Sequence, residues 1–265
     1  MARVALITGS GGAIGRAVAI ALASGGHAIA VNDVDAAAGA ETVAAIRAAG
    51  GTAAFFLADV ADANQVNAMM TDVASRMGEL HVLVLNAGRP GPFSSLIDST
   101  EKIWRRTIDV HLLGAFFCLR VAAKRMIDQG RGRIVAISSL AGLRGTVGSG
   151  DYAAAKAGLD ALILTAAKEL GEFGITCNAV APGMVATPIN NRLAAEGSGF
   201  IASALEGTPS GRLSAPEDVA ALVAFLASDG AGAINGQIVS VDGGAAATLT
   251  SDLYMRNYLR RRKDN

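Results

Sequence analysis

The sequence predicts an α/β fold: a doubly wound, mainly parallel seven-stranded sheet with helices on both faces, a Rossmann-like arrangement. Three observations predict it. Short apolar runs rich in Val and Ile recur at 4–8, 28–32, 53–57, 80–85, 133–138, 176–181 and 237–241. Most are continuously apolar rather than alternating, the pattern of strands covered on both faces. Longer Ala-rich stretches of helical period separate them, so each successive pair of strands is joined by a right-handed helical crossover.

With 265 residues, 51% of them hydrophobic, the chain can bury a sizeable core. No linker, repeat or low-complexity tract divides it, so residues 1–265 read as a single domain with a tail at 245–265. The formal net charge is zero, which leaves no overall field to attract nucleic acid or an anionic membrane. A small-molecule partner is therefore expected, with no nucleic acid and no membrane. The apolar stretch at 4–7 is too short for a signal-peptide core, and the long apolar window 17–31 is interrupted by Gly25, Gly26 and His27. A cytoplasmic protein is the expectation. Cys118 and Cys177, far apart in sequence, read as small buried hydrophobes rather than a disulfide or thiolate metal site.

The first strand runs into Thr8-Gly9-Ser10-Gly11-Gly12-Ala13-Ile14-Gly15, followed by a helical pattern to Ser24. Glycines let a backbone turn sharply and approach a pyrophosphate, which the free N–H groups of a helix N-terminus attract. Alone, such a turn also serves as a tight strand-to-helix connection. The second strand, however, leads to Asp33, at the distance from the turn where a carboxylate meets adenosine ribose hydroxyls. Asp33 would accept hydrogen bonds from the diol and repel a 2′-phosphate, so NAD is expected rather than NADP. Asp35, two residues on, reads as the start of the next helix.

Further along, Tyr152 and Lys156 stand four apart in Asp151-Tyr152-Ala153-Ala154-Ala155-Lys156. Three alanines favour a helix, and this spacing places both side chains on one face. A free tyrosine, with a pKa near 10, is a poor base at neutral pH, and a neighbouring ammonium favours its phenolate. Ser139, just past the 133–138 strand and thirteen residues before Tyr152, is placed to hold a substrate oxygen while Tyr152 moves a proton. A Tyr and Lys pair alone would be an ordinary exposed helix pair; the serine makes it a catalytic candidate.

On these residues the chain resembles the classical short-chain dehydrogenase/reductase family across almost its whole length. The matching segments are the turn at 8–15, Asp59-Val60 after the third strand, Asn86-Ala87-Gly88 after the fourth, Ser139, Tyr152 with Lys156, Pro182-Gly183 with Thr187, and Val241-Asp242-Gly243-Gly244. The resemblance implies an NAD(P)-dependent oxidoreductase interconverting a secondary alcohol and a ketone. In such an enzyme Gly9, Gly11, Gly12, Ala13, Ile14 and Gly15 cradle the cofactor, Asp59 and Val60 border the adenine, and Asn86 to Gly88 support it. Pro182, Gly183, Val185 and Thr187 flank the nicotinamide. Tyr152 is the acid/base, Lys156 the ribose holder, and Ser139 the substrate orienter. It also implies a homo-oligomer, most commonly a tetramer. Two departures stand out: Ala13 replaces the middle glycine of the turn, and His111 in Asp109-Val110-His111-Leu112 replaces the usual asparagine of the proton relay. Beside Lys156, His111 is expected to stay neutral.

Arg89 and Arg144 are candidates to recognise an anionic substrate group, against the commoner reading of surface arginines. His27 and His81 each precede a strand without a carboxylate or cysteine at metal-ligand spacing, so no metal is expected. Segments 88–95 and 190–210 read as substrate loops. In the tail, Leu253, Tyr254, Tyr258 and Leu259 are apolar enough to dock a helix on a neighbouring subunit. Two rival functions share the motifs: a β-ketoacyl thioester reductase, which Asp33 opposes through its NAD bias, and a catalytically idle NAD-binding regulatory protein, which has no need of an intact serine, tyrosine and lysine.

Overall fold

A computed structural model describes residues 2–89 and 91–248. All seven apolar runs are strands: β1 Val4–Thr8, β2 Ala28–Asp33, β3 Ala53–Leu57, β4 Leu80–Leu85, β5 Gly132–Ile137, β6 Ile175–Pro182 and β7 Ile238–Val241. They form one sheet in the order β3-β2-β1-β4-β5-β6-β7, and every pairing is parallel. The order reverses between β1 and β4, so the loops leaving these two strands diverge and open a crevice at their carboxyl ends.

The described residues form ten α-helices: α1 Ala13–Ser24, α2 Ala36–Ala48, α3 Ala63–Met77, α4 Glu101–Ile108, α5 Gly114–Gln129, α6 Leu140–Arg144, α7 Gly150–Leu170, α8 Pro188–Ala195, α9 Gly199–Gly207 and α10 Pro216–Leu226. Successive strand residues point to opposite faces. Val4 and Leu6 accordingly join a core with α3, α5 and α7, while Ala5 and Ile7 join another with α1, α2 and α10. Cys118 and Cys177 are buried in the first core as free thiols, and burial pushes both up to about 12.

Local chemistry sets the helix starts. Asp35 caps α2 by accepting from the Ala37 and Ala38 amides, and Asp62 caps α3 in the same way. Asp35 therefore belongs to the helix, as expected. Between α4 and α5 the helix continues through a π turn, Asp109–Leu113, that contains His111.

Two expectations need correcting. The 190–210 segment is not irregular: it carries most of α8 and all of α9, because Thr187 caps α8 and Pro188 supplies the preset φ of its first position. His81 does not precede a strand but lies within β4, where its Nδ1 accepts from the Val4 amide at 3.3 Å. His27 does precede β2, with Nδ1 3.1 Å from the Leu22 carbonyl. The proposed docking residues 253–259 lie outside the described residues. Within the described residues no helix is long and apolar enough to cross a membrane.

Candidate active site

The glycine turn lies at the sheet's reversal point. Asn86, leaving β4, donates through Nδ2 to the Thr8 and Gly9 carbonyls at 2.8 and 2.9 Å. Thr8 Oγ1 in turn accepts from the Asn86 and Ala87 amides, both at 3.0 Å. The Asn86–Gly88 segment is thus bolted to the turn at 8–15. Gly15 makes this approach possible, since a Cβ there would stand 2.4 Å from the Gly9 carbonyl oxygen and 2.6 Å from Asn86 Nδ2.

The turn fits a dinucleotide. Gly12 is the N-cap of α1 and brings no side chain to its free amides, while the space beside it is open to 3.6 Å. Such a helix start receives a phosphate through N–H groups and dipole together. Ala13 and Ile14 are the first residues of the helix, so the alanine methyl adds bulk at the start of α1. Asp33, at the end of β2, accepts from the Gly11 amide at 2.8 Å and the Asp35 amide at 3.0 Å. A carboxylate has about four lone-pair sites, so these two bonds fix its orientation and leave capacity for a ligand diol. Asp59 and buried Val60 follow β3 on the same edge of the crevice, with Asp59 Oδ1 accepting from Ala61.

On the other side of the crevice, Ser139 follows β5 and caps α6, accepting from the Ala141 amide at 3.2 Å. Tyr152 and Lys156 project from α7, whose start is tied to α4 by a 2.6 Å bond from the Thr107 hydroxyl to buried Asp151. The Ser139 hydroxyl lies beside the Tyr152 phenol and favours its ionised form, but burial is the larger effect and pushes the tyrosine up. The sequence points to a phenol lowered by the neighbouring ammonium; here Lys156 Nζ is 5.7 Å from the phenol ring centre and burial raises the phenol instead. Lys156 Nζ instead donates to the Ile137 carbonyl at 2.6 Å, and burial lowers it to about 8.

His111 completes the group. Its ring meets Tyr152 edge-to-face at 5.1 Å between centres. Nε2 lies 2.9 Å from the Arg89 carbonyl, which only accepts, so Nε2 carries the proton and Nδ1 is an acceptor. Nδ1 is buried and has no partner. Burial first, and then Lys156, lower the imidazole to about 4, so it is neutral at physiological pH as expected. Gly88, at φ +141°, makes room for the ring, since a Cβ there would stand 2.2 Å from His111 Cε1. Between His111 and Lys156 lies a cavity of about 10 Å³, bordered also by Thr8, Val60 and Ala87. That volume suits one water molecule.

The β6 loop closes the lower rim. Gly183 donates to the Val241 carbonyl at 3.1 Å just after Pro182, Val185 is buried, and Thr187 caps α8. Toward solvent, the Phe93 and Phe200 rings meet edge-to-face at 5.3 Å, and the Ser94 amide donates to the Gly148 carbonyl at 2.9 Å. These contacts join the 91–95 segment to α9 and to the approach to α7. Arg89 is exposed and engages His111 through its backbone. Arg144 is also exposed, and its side chain donates to the Ala245 carbonyl at 3.3 Å. Among the described residues no hydrogen bond or ion pair joins either guanidinium to Ser139, Tyr152 or Lys156. Sequence reasoning missed the Ile137 carbonyl and buried Asp160, one turn beyond Lys156. The four-residue spacing from Lys156 to Asp160 was the available signal. Among the described residues no group of three or more His, Cys, Asp or Glu side chains is placed to hold a metal ion.

Comparison with known proteins agrees with this architecture. A family profile described as enoyl-(acyl carrier protein) reductase matches residues 9–246. The chain is 40% identical over 245 residues to a 3-oxoacyl-[acyl-carrier-protein] reductase of Synechocystis sp., covering 92% of this chain and 96% of the relative. It is 42% identical over 246 residues to the cis-4-hydroxycyclohexanecarboxylate dehydrogenase of Sinomonas cyclohexanicum, covering 92% and 97%. The crystal structure of levodione reductase superimposes with a TM-score of 0.89 at 35% identity, covering 93% of this chain and 98% of that one. The chain belongs to the short-chain dehydrogenase/reductase family of oxidoreductases.

Proposed function

We propose that the protein is an NAD-dependent oxidoreductase that interconverts a secondary alcohol and a ketone, with Tyr152 as the acid/base. The observation that carries this reading is the convergence of Ser139, Tyr152 and Lys156 across the crevice from the glycine turn and Asp33. The nicotinamide, when bound, supplies or accepts the hydride. Ser139 holds the substrate oxygen by a hydrogen bond. Tyr152 gives its phenolic proton to the ketone oxygen during reduction and takes it from the hydroxyl during oxidation. Lys156, fixed by the Ile137 carbonyl, holds the ribose and recharges the phenol. His111 Nδ1 accepts from a water in the adjoining cavity, which passes protons between Lys156 and solvent. Turnover of NAD with a panel of secondary alcohols, sugars and hydroxy acids tests the reading; no turnover with any member, in either direction, would sink it.

A second reading, a β-ketoacyl thioester reductase, is favoured by the similarity to the Synechocystis 3-oxoacyl-[acyl-carrier-protein] reductase. Adding a β-ketoacyl thioester to the panel discriminates the two. By family resemblance we also propose a homotetramer, which sedimentation velocity would check.

NAD should exceed NADP in kcat/KM by about ten- to a hundredfold, corresponding to roughly 1.5–3 kcal/mol for bonds from the Asp33 carboxylate to the ribose. An NADP preference would remove Asp33 from this role. His111→Leu should lower kcat well beyond its effect on cofactor affinity and change the solvent isotope effect, because leucine fills similar space without either ring nitrogen. Unchanged kcat across the pH range in a folded His111→Leu protein would leave the histidine a packing residue only.

A further inference from the structure

The catalytic lysine is an expensive group to bury. Lys156 is 4% exposed, and its Nζ finds one neutral acceptor, the Ile137 carbonyl. An unpaired ammonium in such a place tends to give up its proton and lose its charge. From the π turn comes His111, which is neutral. From α7 come Tyr152, its phenol pushed up by burial, and Asp151, whose carboxylate is already taken by Thr107. From the end of β5 come the Ile137 carbonyl and the Ser138 hydroxyl.

One group remains. Asp160 lies one helical turn beyond Lys156 on the same face of α7. It is 5% exposed, and neither carboxylate oxygen has a fully formed hydrogen bond. The Ser138 hydroxyl, 2% exposed, faces the carboxylate and favours its charge, though short of full hydrogen-bond geometry. A buried carboxylate with so few donors stays charged only where a cation lies near it; Lys156, buried one turn away on the same face of α7, is the cation that acts on it, through space rather than as a contact pair, since no Lys156–Asp160 contact falls within 4.0 Å.

We propose that Asp160 is a positioning residue for the reaction: its buried carboxylate is the counterion that keeps the Lys156 ammonium charged inside the protein. The two groups hold each other ionised. Burial alone pushes the carboxyl up and the ammonium down, and each partner opposes the shift of the other. Asp160 touches neither substrate nor cofactor. It acts through Lys156, which rests on the catalytic role given to that lysine above.

The test titrates Lys156 directly, in cofactor-free protein carrying lysine labelled with ¹³C at Cε, with the signal assigned by its loss in Lys156→Met. In Asp160→Asn the midpoint should fall by about one pH unit or more, and Asp160→Glu should recover most of it. The alkaline limb of kcat/KM, where Lys156 loses its proton, should move to lower pH in the same variant and in the same direction. A Lys156 midpoint unchanged in Asp160→Asn would overturn the proposal. If the midpoint shifts while neither protein turns over any substrate, the counterion role stands and the proposed activity fails. If Asp160→Asn does not fold, the double variant Lys156→Met/Asp160→Asn decides. Its folding would show that the unpaired ammonium was the fault, and its failure would make Asp160 a packing residue and overturn the proposal.

Discussion

Replacing Tyr152 by phenylalanine should lower kcat by about 10²–10⁴, the usual worth of a positioned proton donor or acceptor, while NADH binds nearly as before. The substitution removes one oxygen and keeps the ring, so the edge-to-face contact with His111 at 5.1 Å survives and the helix face is not emptied. The distinguishing feature is the pH profile. Burial holds the phenol above its ordinary value, so alcohol oxidation by the parent enzyme should rise with pH as the proton becomes easier to remove. In Tyr152→Phe that rise should vanish from whatever residual rate is left. Fluorescence titration with NADH gives affinity, and steady-state kinetics across pH gives the rest. Near-normal kcat at saturating substrate would remove the tyrosine from proton transfer.

Lys156→Ala should do comparable harm to kcat/KM, about 10²–10⁴, but with the loss divided differently. Part should fall on the cofactor, because an ammonium holding ribose hydroxyls is worth roughly 1.5–3 kcal/mol. Part should fall on kcat, because the phenol loses its route for regaining a proton. The same change leaves the Ile137 carbonyl without its 2.6 Å donor and Asp160 without a cation, so the melting temperature should fall as well. Isothermal titration with NAD beside steady-state kinetics separates the contributions. A variant with unchanged NAD affinity would show that the lysine does not hold the ribose.

Much of this architecture is legible in the chain. Continuous apolar runs mark a sheet buried on both faces, and the bounds of β1, β3 and β4 follow them directly. The site's side chains can be read for the same reason: Ser139, Tyr152 and Lys156 are fixed by strand ends and helical spacing, which are local properties. What is not local is harder to read. The acceptor of Lys156 is a backbone carbonyl, and every residue type carries one. The upward push on Tyr152 depends on how much protein covers it, which spacing does not record. The helices within 190–210 were hidden because their caps and glycines look like loop chemistry until Thr187 and Pro188 are seen to start a turn. The neutrality of His111 was readable because it needs only a nearby lysine and burial.

The π turn at Asp109–Leu113 has a geometric consequence. It admits one more residue per turn than an α-helix, and an α-helix advances about 100° per residue. The segments on either side therefore keep separate angular settings. Before it, α4 is clocked so that Thr107 meets Asp151 on α7. After it, α5 is clocked so that Cys118, Leu119 and Ala122 face the core beneath the sheet. Delete one residue here and the two settings become one. Either Thr107 swings about a quarter turn off α7, or the apolar stripe of α5 swings off the sheet. The turn works as a phase coupling, in which an odd residue lets a single continuous rod satisfy two partners whose demands no regular helix meets together.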